Sequence, residues 1–550
     1  MGSSSLEWTD VTILNSGRVV ACGTEHGVNT DLVVQAWEPD GTIAWIYRYP
    51  DPGDATWQAS GKIATNGTDI FVAGSRGSFV NLEAELTLIL RLSQNGALLD
   101  QNDFLMTLQD ANETITGIAV NPAATGEVFV TGYSTGAGRD GWVMKLQSNL
   151  EQAWLQDLTY AAEVRTSAPL PLPDGKVLIP SAGPSTTAVA KYGTTGLLEA
   201  TYTVPSSSPA VQPLTRSATG QVVLLSYVSA GINISKLDSN LGLLGTTLVN
   251  DHFYNYGSAQ WSDAAGGLFV CSDRYSEGLL DMRKYSPTGT LLWTDVVPNV
   301  SSRLADYLLK VDRFGNPVVI GNEEHLDGNV NFVGWCWDSS GHRQWKSVWS
   351  STQTSNDFPR AWAVDSKLRL YAVGKATNPA NFVDTKGAIW RTSQYFHRAP
   401  DLLTMRSGTV ASGTLADLAE ADGTTQTLCV QPGVSRVIQP VIGEYETTFP
   451  IEAVDPAATT LDLHLVASCN ISGAKCVLQC FNWTTGLWQV VLNDTLTGSL
   501  QAFDAPLTVP ADFVQAGTRL VRARILCRPA RTRSTPFCVT LDQLEARSDT

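Results

Sequence analysis

The sequence predicts an all-β fold, and three observations lead to that prediction. Only 16% of the 550 residues are charged, so residues that favour helices are scarce. Glycine (46 residues) and tryptophan (16 residues) are plentiful, which suits short strands joined by tight turns. One pattern of strand, turn and strand also recurs at intervals of roughly 50 residues. A chain of this length exceeds one ordinary hydrophobic core, so we expect two or more domains.

The repeat consists of two modules. In the first, an alternating apolar strand is followed by a turn and by a strand that often carries tryptophan. Tight hairpins require a positive φ at a central residue, which glycine and asparagine tolerate. The copies of the first module are residues 32–46, 88–100, 142–155, 188–200, 234–245, 280–294 and 333–346, with turn markers at Gly41, Gly96, Asn149, Gly196, Asn240, Gly289 and Gly341. The second module occupies residues 11–24, 62–75, 117–133, 170–181, 214–226, 260–272, 310–322 and 364–375.

Together the modules give four short strands per repeat, as in the blade of a propeller. Eight copies of the second module and seven complete copies of the first predict an eight-bladed β-propeller over residues 6–398, with seven blades as the alternative. A solenoid is the competing architecture, but near-continuous apolar runs such as residues 128–131 favour strands that are covered on both faces. The last copy stops at residue 395, so we expect the eighth blade to lack its outer strand unless residues 6–8 close it.

Tryptophan follows a turn glycine in residues 40–45 and 287–293. This pattern resembles the tryptophan-docking repeats of quinoprotein-like propellers, and Trp45, Trp154, Trp293 and Trp345 occupy the docking position. The whole unit resembles the bacterial β-propeller repeats known as SBBP repeats, over residues 8–395. The resemblance implies a secreted propeller whose tryptophans pack between blades. The sequence lacks the adjacent cysteine pair of many quinoprotein dehydrogenases, so the resemblance does not imply that activity.

A second domain is predicted over residues 401–550, where the repeat has ended. Alternating apolar and polar residues in segments 461–466 and 520–526 are typical of half-buried antiparallel strands, so we expect a β-sandwich. Its predicted strands are residues 426–430, 461–468, 474–481, 487–492, 519–527 and 537–544. The last of them resembles the closing strand of the jelly-roll modules that end many secreted bacterial proteins, which implies a carbohydrate-binding module.

The nine cysteines leave two interpretations open. They are either buried apolar thiols in strands, or they include one or two disulfides in the second domain. No CxxC motif is present, and the Asp-x-Asp-x-Asp-Gly calcium loop is absent, so neither a metal nor a cofactor is predicted. Cys22, Cys271 and Cys336 lie in the repeat region, whereas the second domain contains Cys429, Cys469, Cys476, Cys480, Cys527 and Cys538.

The net charge of −16 argues against two classes of partner. A field of that sign repels phosphate backbones and anionic lipids, so we expect no nucleic-acid and no membrane-surface role. No run of about 18 apolar residues is present, so no membrane insertion is expected. Residues 1–5 lack the features of a signal peptide. The low lysine content and the abundant serine, threonine and asparagine nevertheless suit an extracellular or cell-surface protein.

The loops that follow each second module should share one face of a propeller, because strand direction alternates within every blade. A ring of carboxylates and histidines there could hold a cation or perform acid–base chemistry on a sugar. The alternative is that these are solvated loop charges. The candidate residues are Glu25, His26, Arg76, Arg139, Asp140, Asp273, Arg274, Tyr275, Glu323, Glu324 and His325, together with Asp327.

Four further candidates belong to the predicted sandwich. Trp483 and Trp488 flank a turn, and flat aromatic rings suit the C–H faces of sugars; alternatively, both rings fill the core. Arg522 and Arg524 should share one sheet face because side chains alternate with period two. Such a fork suits sulfated or carboxylated glycans, and a solvated face is the alternative.

The sequence therefore predicts a secreted or surface protein that binds a glycan or a protein partner without catalysis. A propeller enzyme that cleaves polysaccharide, as a lyase or glycosidase, is one alternative, and a self-assembling structural protein is another. Residues 132–136 match the Gly-x-Ser-x-Gly motif, but the helix that a nucleophile elbow needs does not follow. No P-loop and no Rossmann fingerprint occurs in a suitable context.

Overall fold

The structure is a computed structural model of the chain. It describes residues 5–549 except for the ranges 27–29, 51–55, 79–85, 106–111, 123–125, 136–140, 159–163, 209–210, 218, 229–230, 250–256, 262–266, 275–277, 298–307, 313–314, 325–329, 338–340, 342, 350–355, 365–369, 378–384, 393–395, 399–401, 415–417, 419–424, 431–439, 449–459, 508, 517, 519 and 530–535.

The described residues up to 392 form consecutive antiparallel sheets in which strands pair mostly in chain order. The first four sheets contain β1 (Ser5–Ile13), β2 (Val19–His26), β3 (Thr30–Trp37), β4 (Ile43–Arg48); β5 (Thr56–Thr65), β6 (Ile70–Ser78), β7 (Leu86–Leu92), β8 (Leu98–Phe104); β9 (Asn112–Val120), β10 (Val128–Thr135), β11 (Gly141–Leu146), β12 (Gln152–Leu158); and β13 (Arg165–Thr166), β14 (Leu170–Pro171), β15 (Val177–Ala182), β16 (Thr186–Tyr192), β17 (Leu198–Pro205).

The next four sheets contain β18 (Thr215–Arg216), β19 (Val222–Val228), β20 (Gly231–Leu237), β21 (Leu243–Val249); β22 (Gly257–Trp261), β23 (Leu268–Arg274), β24 (Leu279–Tyr285), β25 (Leu291–Val297); β26 (Leu308–Val311), β27 (Pro317–Glu324), β28 (Val330–Trp337), β29 (Arg343–Trp349); and β30 (Asn356–Val364), β31 (Leu370–Thr377), β32 (Thr385–Thr392).

Neighbouring sheets pack against each other in chain order. Buried apolar clusters join each of the first five sheets to the next one. β26 of the seventh sheet contacts β22 of the sixth, and β27 of the seventh contacts β30 of the last. The circle closes because Trp8 and Trp37 of the first sheet pack with Tyr371 and Val373 of the last. Consecutive antiparallel sheets that close on themselves form a β-propeller, so the predicted propeller and its repeat are confirmed.

Burial differs systematically across each sheet. Every residue of the central strands β11 and β15 is buried, because neighbouring sheets cover both faces. In the outermost strands β17 and β21, exposed residues alternate with half-buried ones. The near-continuous apolar runs in the sequence therefore mark the central strands.

The turn residues of two repeats differ from the prediction. Asn149 and Asn240 were expected to adopt a positive φ, but Leu150 (φ 56°) and Leu241 (φ 66°) adopt it instead. The reason is the geometry of the turn, in which the fourth residue is left-handed and donates its N–H to the carbonyl of the first, as Leu150 does to Gln147 at 3.0 Å. Glycine holds this fourth position in the other repeats.

The last sheet contains three strands within the described residues. The alternative that residues 6–8 close this sheet is wrong, because β1 pairs with β2 along its whole length. Glu7 instead links the two ends of the circle through ion pairs. Its carboxylate oxygens lie 3.0 Å from Nε of Arg360 and 3.1 Å from Nζ of Lys375, which belong to β30 and β31.

The C-terminal residues form two further antiparallel sheets and a 3-10 helix at Pro510–Asp512. One sheet has the order β35–β36–β43–β38–β41 with β33 beside β43, and the other has the order β34–β37–β42–β39–β40. The strands are β33 (Phe396–Arg398), β34 (Leu402–Ser407), β35 (Thr409–Ser412), β36 (Gln426–Val430), β37 (Val441–Thr448), β38 (Thr460–Cys469), β39 (Ala474–Asn482), β40 (Leu487–Leu496), β41 (Gln501–Leu507), β42 (Leu520–Arg528) and β43 (Phe537–Asp549).

Both C-terminal sheets contribute to one hydrophobic cluster, which includes Leu463, Tyr445, Ile525 and Val539. Cys429 and Cys538 are direct cross-strand neighbours and form a disulfide. The other seven cysteines are buried free thiols. Both interpretations of the cysteines therefore hold, each for a different set of residues.

The chain divides into two compact units, Met1–Gly334 with Ser347–Thr392, and Trp335–Lys346 with Ser393–Thr550. β33 lies before the expected boundary at residues 398–401 but pairs with β43 of the second unit. That boundary stays a prediction.

No helix among the described residues has the length and apolar character needed to cross a membrane.

Candidate functional site

Two propeller candidates whose side chains are described, Glu25 and Arg76, make ion pairs within their own sheets. Glu25 is the last residue but one of β2, and it accepts a hydrogen bond from Nε of Arg48 at 2.9 Å. Arg76 of β6 donates from Nη1 to Asp103 of β8 at 2.9 Å. Each pair therefore joins an inner strand to the outermost strand of the same sheet, which is the arrangement expected of structural surface charges.

The remaining propeller candidates form no described cluster. Nδ1 of His26 lies 3.5 Å from the hydroxyl of Thr30, the residue opposite it on β3. Glu323 is half-buried near the end of β27. Only the backbone is described for Asp273, Arg274 and Glu324, whereas Arg139, Asp140, Tyr275, His325 and Asp327 lie outside the described residues. Among described side chains, no group of three or more histidine, cysteine or carboxylate residues is arranged to hold a metal ion.

The four C-terminal candidates lie together on the outer face of sheet β34–β37–β42–β39–β40. Arg522 and Arg524 alternate with buried neighbours along β42, so both project from the same face. Trp483 and Trp488 stand at the two ends of the turn between β39 and β40. We call these four residues and Phe481 of β39 the aromatic–arginine patch.

Phe481 is the central ring of this patch. Its centroid lies 4.8 Å from the ring of Trp483 and 5.4 Å from that of Trp488, with interplanar angles of 75° and 72°. These are edge-to-face contacts, the geometry that aromatic quadrupoles favour. Trp483 also donates from Nε1 to the carbonyl of Leu520 at 3.0 Å, which ties the turn to β42. Both indoles are half-buried and lie outside the cluster between the sheets.

The guanidinium groups of the two arginines lie over these rings. Cζ of Arg524 lies 3.9 Å from the centroid of Trp488, and Cζ of Arg522 lies 5.5 Å from Phe481 and 5.7 Å from Trp488. Such cation–π contacts hold a guanidinium in a fixed orientation. One face of the Trp488 ring is thus covered by Arg524, so only its other face could serve as a platform for a sugar.

A buried carboxylate fixes the arginines from below. Glu444 of β37 is 4% exposed and accepts hydrogen bonds from Arg524 Nε at 3.0 Å, Arg524 Nη2 at 2.6 Å and Arg406 Nε at 2.9 Å. Burial alone would raise the pKa of Glu444, but the hydrogen bonds and charges of Arg406 and Arg524 outweigh it, so the pKa lies below its ordinary value. Arg522 forms an ion pair with Glu446 at 2.9 Å.

This arrangement leaves hydrogen-bond donors in place for a ligand. Arg524 uses two of its five N–H groups on Glu444, and the described residues supply no partner for the other three. Donors that are already oriented lose little conformational entropy on binding. The patch can therefore present oriented guanidinium groups beside aromatic rings.

Sequence reasoning missed Glu444, Arg406 and a separate pair on the other sheet. Glu444 lies on β37, a strand that was not expected, although its Val-Ile-Gly-Glu-Tyr-Glu alternation was available as a signal. In the other sheet, Nδ1 of His464 on β38 lies 2.6 Å from the carboxylate of Asp504, its direct cross-strand neighbour on β41. That contact joins two neighbouring strands and lies on a different sheet from the patch.

No protein-family model and no curated protein matches this chain in sequence. Among solved structures, the chain is similar to the WD40 domain of SCAP from fission yeast, at 10% identity and a TM-score of 0.42 over 68% of this chain and 94% of that one. It is also similar to a protein from Lactobacillus plantarum, at 14% identity and a TM-score of 0.37 over 64% of this chain and 96% of that one. A third similar structure is TmCBM61 in complex with β-1,4-galactotriose, at 10% identity and a TM-score of 0.19 over 27% of this chain and 88% of that one. These scores are too low to indicate a function, and the propeller rests on the packing of its own sheets.

Proposed function

We propose that this protein is a non-enzymatic binding protein whose C-terminal unit binds a glycan through the aromatic–arginine patch. The observation that carries the proposal is the contact between Trp488 and Arg524, two residues from different strands that meet on an exposed sheet face. In this proposal the propeller is a rigid scaffold.

The chemistry of the patch suits a sugar. Hydroxyl groups would accept hydrogen bonds from the N–H groups of Arg524 that Glu444 does not use, while C–H faces would lie against the exposed part of the half-buried Trp488 ring. Val490, which shares the outer face of the sheet with Trp488, is 52% exposed and extends the apolar surface along β40. Apolar contact beside a few fixed polar donors is the usual composition of a ligand site.

We also propose the number of propeller blades and the fold of the C-terminal unit. The eight consecutive sheets that close on themselves support eight blades, the last of them with three strands. The single hydrophobic cluster shared by both C-terminal sheets supports a jelly-roll-like β-sandwich.

We also propose an extracellular or cell-surface location. The disulfide between Cys429 and Cys538 supports it, because disulfides persist mainly in oxidising compartments.

Affinity electrophoresis of the full chain against a panel of neutral and acidic polysaccharides tests the proposal. We expect retardation by at least one of them, and retardation by none would contradict glycan binding. Each polysaccharide is also assayed for new reducing ends and unsaturated products. Their appearance would instead support the alternative of a propeller enzyme.

Self-association is a second candidate, favoured by apolar side chains on the outermost propeller strands. Leu244 of β21 and Leu292 of β25 occupy the same position in consecutive sheets, and they are 54% and 55% exposed. Outermost strands also offer unpaired backbone groups to another copy. Light scattering should then give a mass that rises with concentration and falls in a Leu244→Lys variant, and a constant monomer mass would exclude this candidate.

A further inference from the structure

We propose that the ligand of the aromatic–arginine patch is an acidic glycan whose sugars carry carboxylate or sulfate groups. This inference rests on the proposed glycan binding and adds the chemical class of the ligand. It follows from the distribution of charge on the sheet face and from the way in which Arg524 is held.

The outer face of sheet β34–β37–β42–β39–β40 is basic in an otherwise acidic protein. Side chains alternate along β39 and β42, so outward positions can be read from the burial pattern. In the described part of this face, five cationic residues outnumber two carboxylates, which gives +3 against −16 for the whole chain. The cations are Arg406, Lys475, Arg522, Arg524 and Arg528, and the carboxylates are Glu444 and Glu446.

The carboxylates on this face are already engaged. Glu444 lies beneath Arg406 and Arg524, and Glu446 pairs with Arg522. A ligand approaching from solvent therefore meets guanidinium groups and exposed lysine and arginine side chains. An acidic partner gains Coulomb energy there, whereas a neutral one gains only hydrogen bonds and contact area.

Arg524 is oriented for a planar anion. Cζ of the guanidinium lies 3.9 Å from the centroid of Trp488, and Glu444 accepts hydrogen bonds from its Nε–H and one Nη2–H. The remaining N–H groups lie at the opposite edge, where a carboxylate or sulfate can accept two of them at once. Lysine cannot replace this geometry, because an ammonium group neither stacks flat on a ring nor forms a fork.

The test compares polygalacturonate with its fully methyl-esterified form, two ligands that share a backbone and differ in charge. The binding of each to the full chain is measured by calorimetry at physiological ionic strength, with dextran sulfate as a sulfated arm. A charge-assisted hydrogen bond is worth about 1.5–3 kcal/mol, so we expect at least about tenfold tighter binding of an acidic polymer. Arg524→Lys should abolish most of that preference.

A matched control separates the site from overall charge. Arg18 forms an ion pair with Glu38 in the propeller, and its side chain is 25% exposed, as is that of Arg524. Arg18→Lys should leave the preference unchanged. Arg522→Lys is the second patch variant, in case Arg524→Lys lowers the melting temperature.

The outcomes distinguish the two proposals. Equal binding of the ester and the acid would overturn the acidic class and leave glycan binding intact. Binding of no polysaccharide would overturn both. Binding of poly-glutamate as tight as that of polygalacturonate would overturn the glycan in favour of an acidic peptide.

A different observation carries a second inference. Cys476 of β39 and Cys527 of β42 are direct cross-strand neighbours with their Sγ atoms 2.9 Å apart, and both are buried. We infer that they form a second disulfide when the chain folds in an oxidising compartment. The two thiols lose two protons and two electrons to a disulfide-bearing oxidant, which is reduced to two thiols through a mixed-disulfide intermediate. Because the folded sheet covers both sulfurs, the exchange precedes closure of the sheet.

Thiol counting tests this inference. The full chain is produced in an oxidising compartment, denatured with an alkylating agent present, and weighed by mass spectrometry. Nine cysteines less two disulfides leave five alkylated thiols, whereas nine less one disulfide leave seven. Five, with a peptide that links residues 476 and 527, is the expected result, and seven would overturn the inference. Cys480→Ser is the matched control, since it removes another buried thiol of β39 and should keep the linked peptide.

Discussion

Trp45 of the first propeller sheet lies directly against Gly96 in a turn of the second. A Cβ atom at Gly96 would come within 2.6 Å of the indole ring, so only glycine fits there. The indole Nε1 also donates to the carbonyl of Gln94 at 3.0 Å, in the same turn. The first sheet thus docks a tryptophan onto the turn of the second.

The same relationship recurs two sheets later. Trp154 donates from Nε1 to the carbonyl of Thr194 at 3.1 Å, and a Cβ at Gly196 would lie 2.8 Å from its ring. Tryptophan at the docking position and glycine in the next turn are therefore one structural unit. This explains why both recur with the repeat in the sequence.

Gly96→Ala should destabilise the propeller by about 2–3 kcal/mol, because it adds a clash with Trp45 to the strain of a positive φ. Two matched variants separate these causes. Gly41 has φ +91° and open space around its Cβ position, so Gly41→Ala should cost only about 1 kcal/mol. Gly245 has neither constraint, and Gly245→Ala should stay within about 0.5 kcal/mol. Urea unfolding gives the three values, and equal losses would contradict the docking account.

Glu7→Gln should weaken the closure of the propeller, because it removes ion pairs to Arg360 and Lys375 on the last sheet. These side chains are partly exposed, so the expected loss is about 1 kcal/mol at low salt, and it should shrink as salt rises. Glu199→Gln is the control, since its partner Lys176 directly precedes β15 of the same sheet. A loss at Glu7 that is independent of salt would argue against an electrostatic closure.

Much of the propeller could be predicted because its information is local. Each repeat encodes its strands in short apolar runs and its turns in glycine, and both patterns are visible without knowing any long-range contact. The pairing of β1 was harder, because residues 6–8 could join either the first or the last sheet. The left-handed residues Leu150 and Leu241 were missed because the turn type, which the strand register fixes, decides which position takes a positive φ.

The stability of the C-terminal unit should fall in acid partly through Glu444. Its pKa in the folded protein is held below the ordinary 4.5 by Arg406 and Arg524, so folding favours the ionised form. That contribution is fully present above pH 4.5 and is lost as pH falls through the folded pKa. The slope of unfolding free energy against pH should therefore be shallower in Glu444→Gln. An unchanged slope would show that the arginines do not act on this carboxylate.

Removing the disulfide should strongly destabilise the C-terminal unit. Cys429 and Cys538 are 109 residues apart, and a crosslink that closes a loop of that length contributes roughly 4–5 kcal/mol in the chain-entropy model. The double variant Cys429→Ser and Cys538→Ser should unfold at much lower urea concentration, followed by tryptophan fluorescence. An unchanged midpoint would mean that the unfolded chain is not restricted by this bond.

The candidate site could be predicted only in part. Period-two alternation was enough to place Arg522 and Arg524 on one face, and the turn between the tryptophans was visible in the sequence. The contact of Trp488 with Arg524 depends on the pairing of β39 with both β40 and β42, which no local pattern encodes. The propeller loop candidates shared a position in the repeat, yet Glu25 and Arg76 are held by partners on the outermost strands of their own sheets.

The most direct test of the account is the glycan affinity of Trp488→Ala measured beside that of Leu487→Ala. Trp488 contacts Phe481 and Arg524 in the patch, whereas Leu487 is the exposed neighbour at the start of the same strand. Each variant is characterised by its melting temperature and by its Kd for the polysaccharide that the parent binds. The account predicts that Trp488→Ala weakens binding at least about tenfold with little change in melting temperature, while Leu487→Ala stays near the parent. Unchanged affinity in a folded Trp488→Ala variant would contradict it.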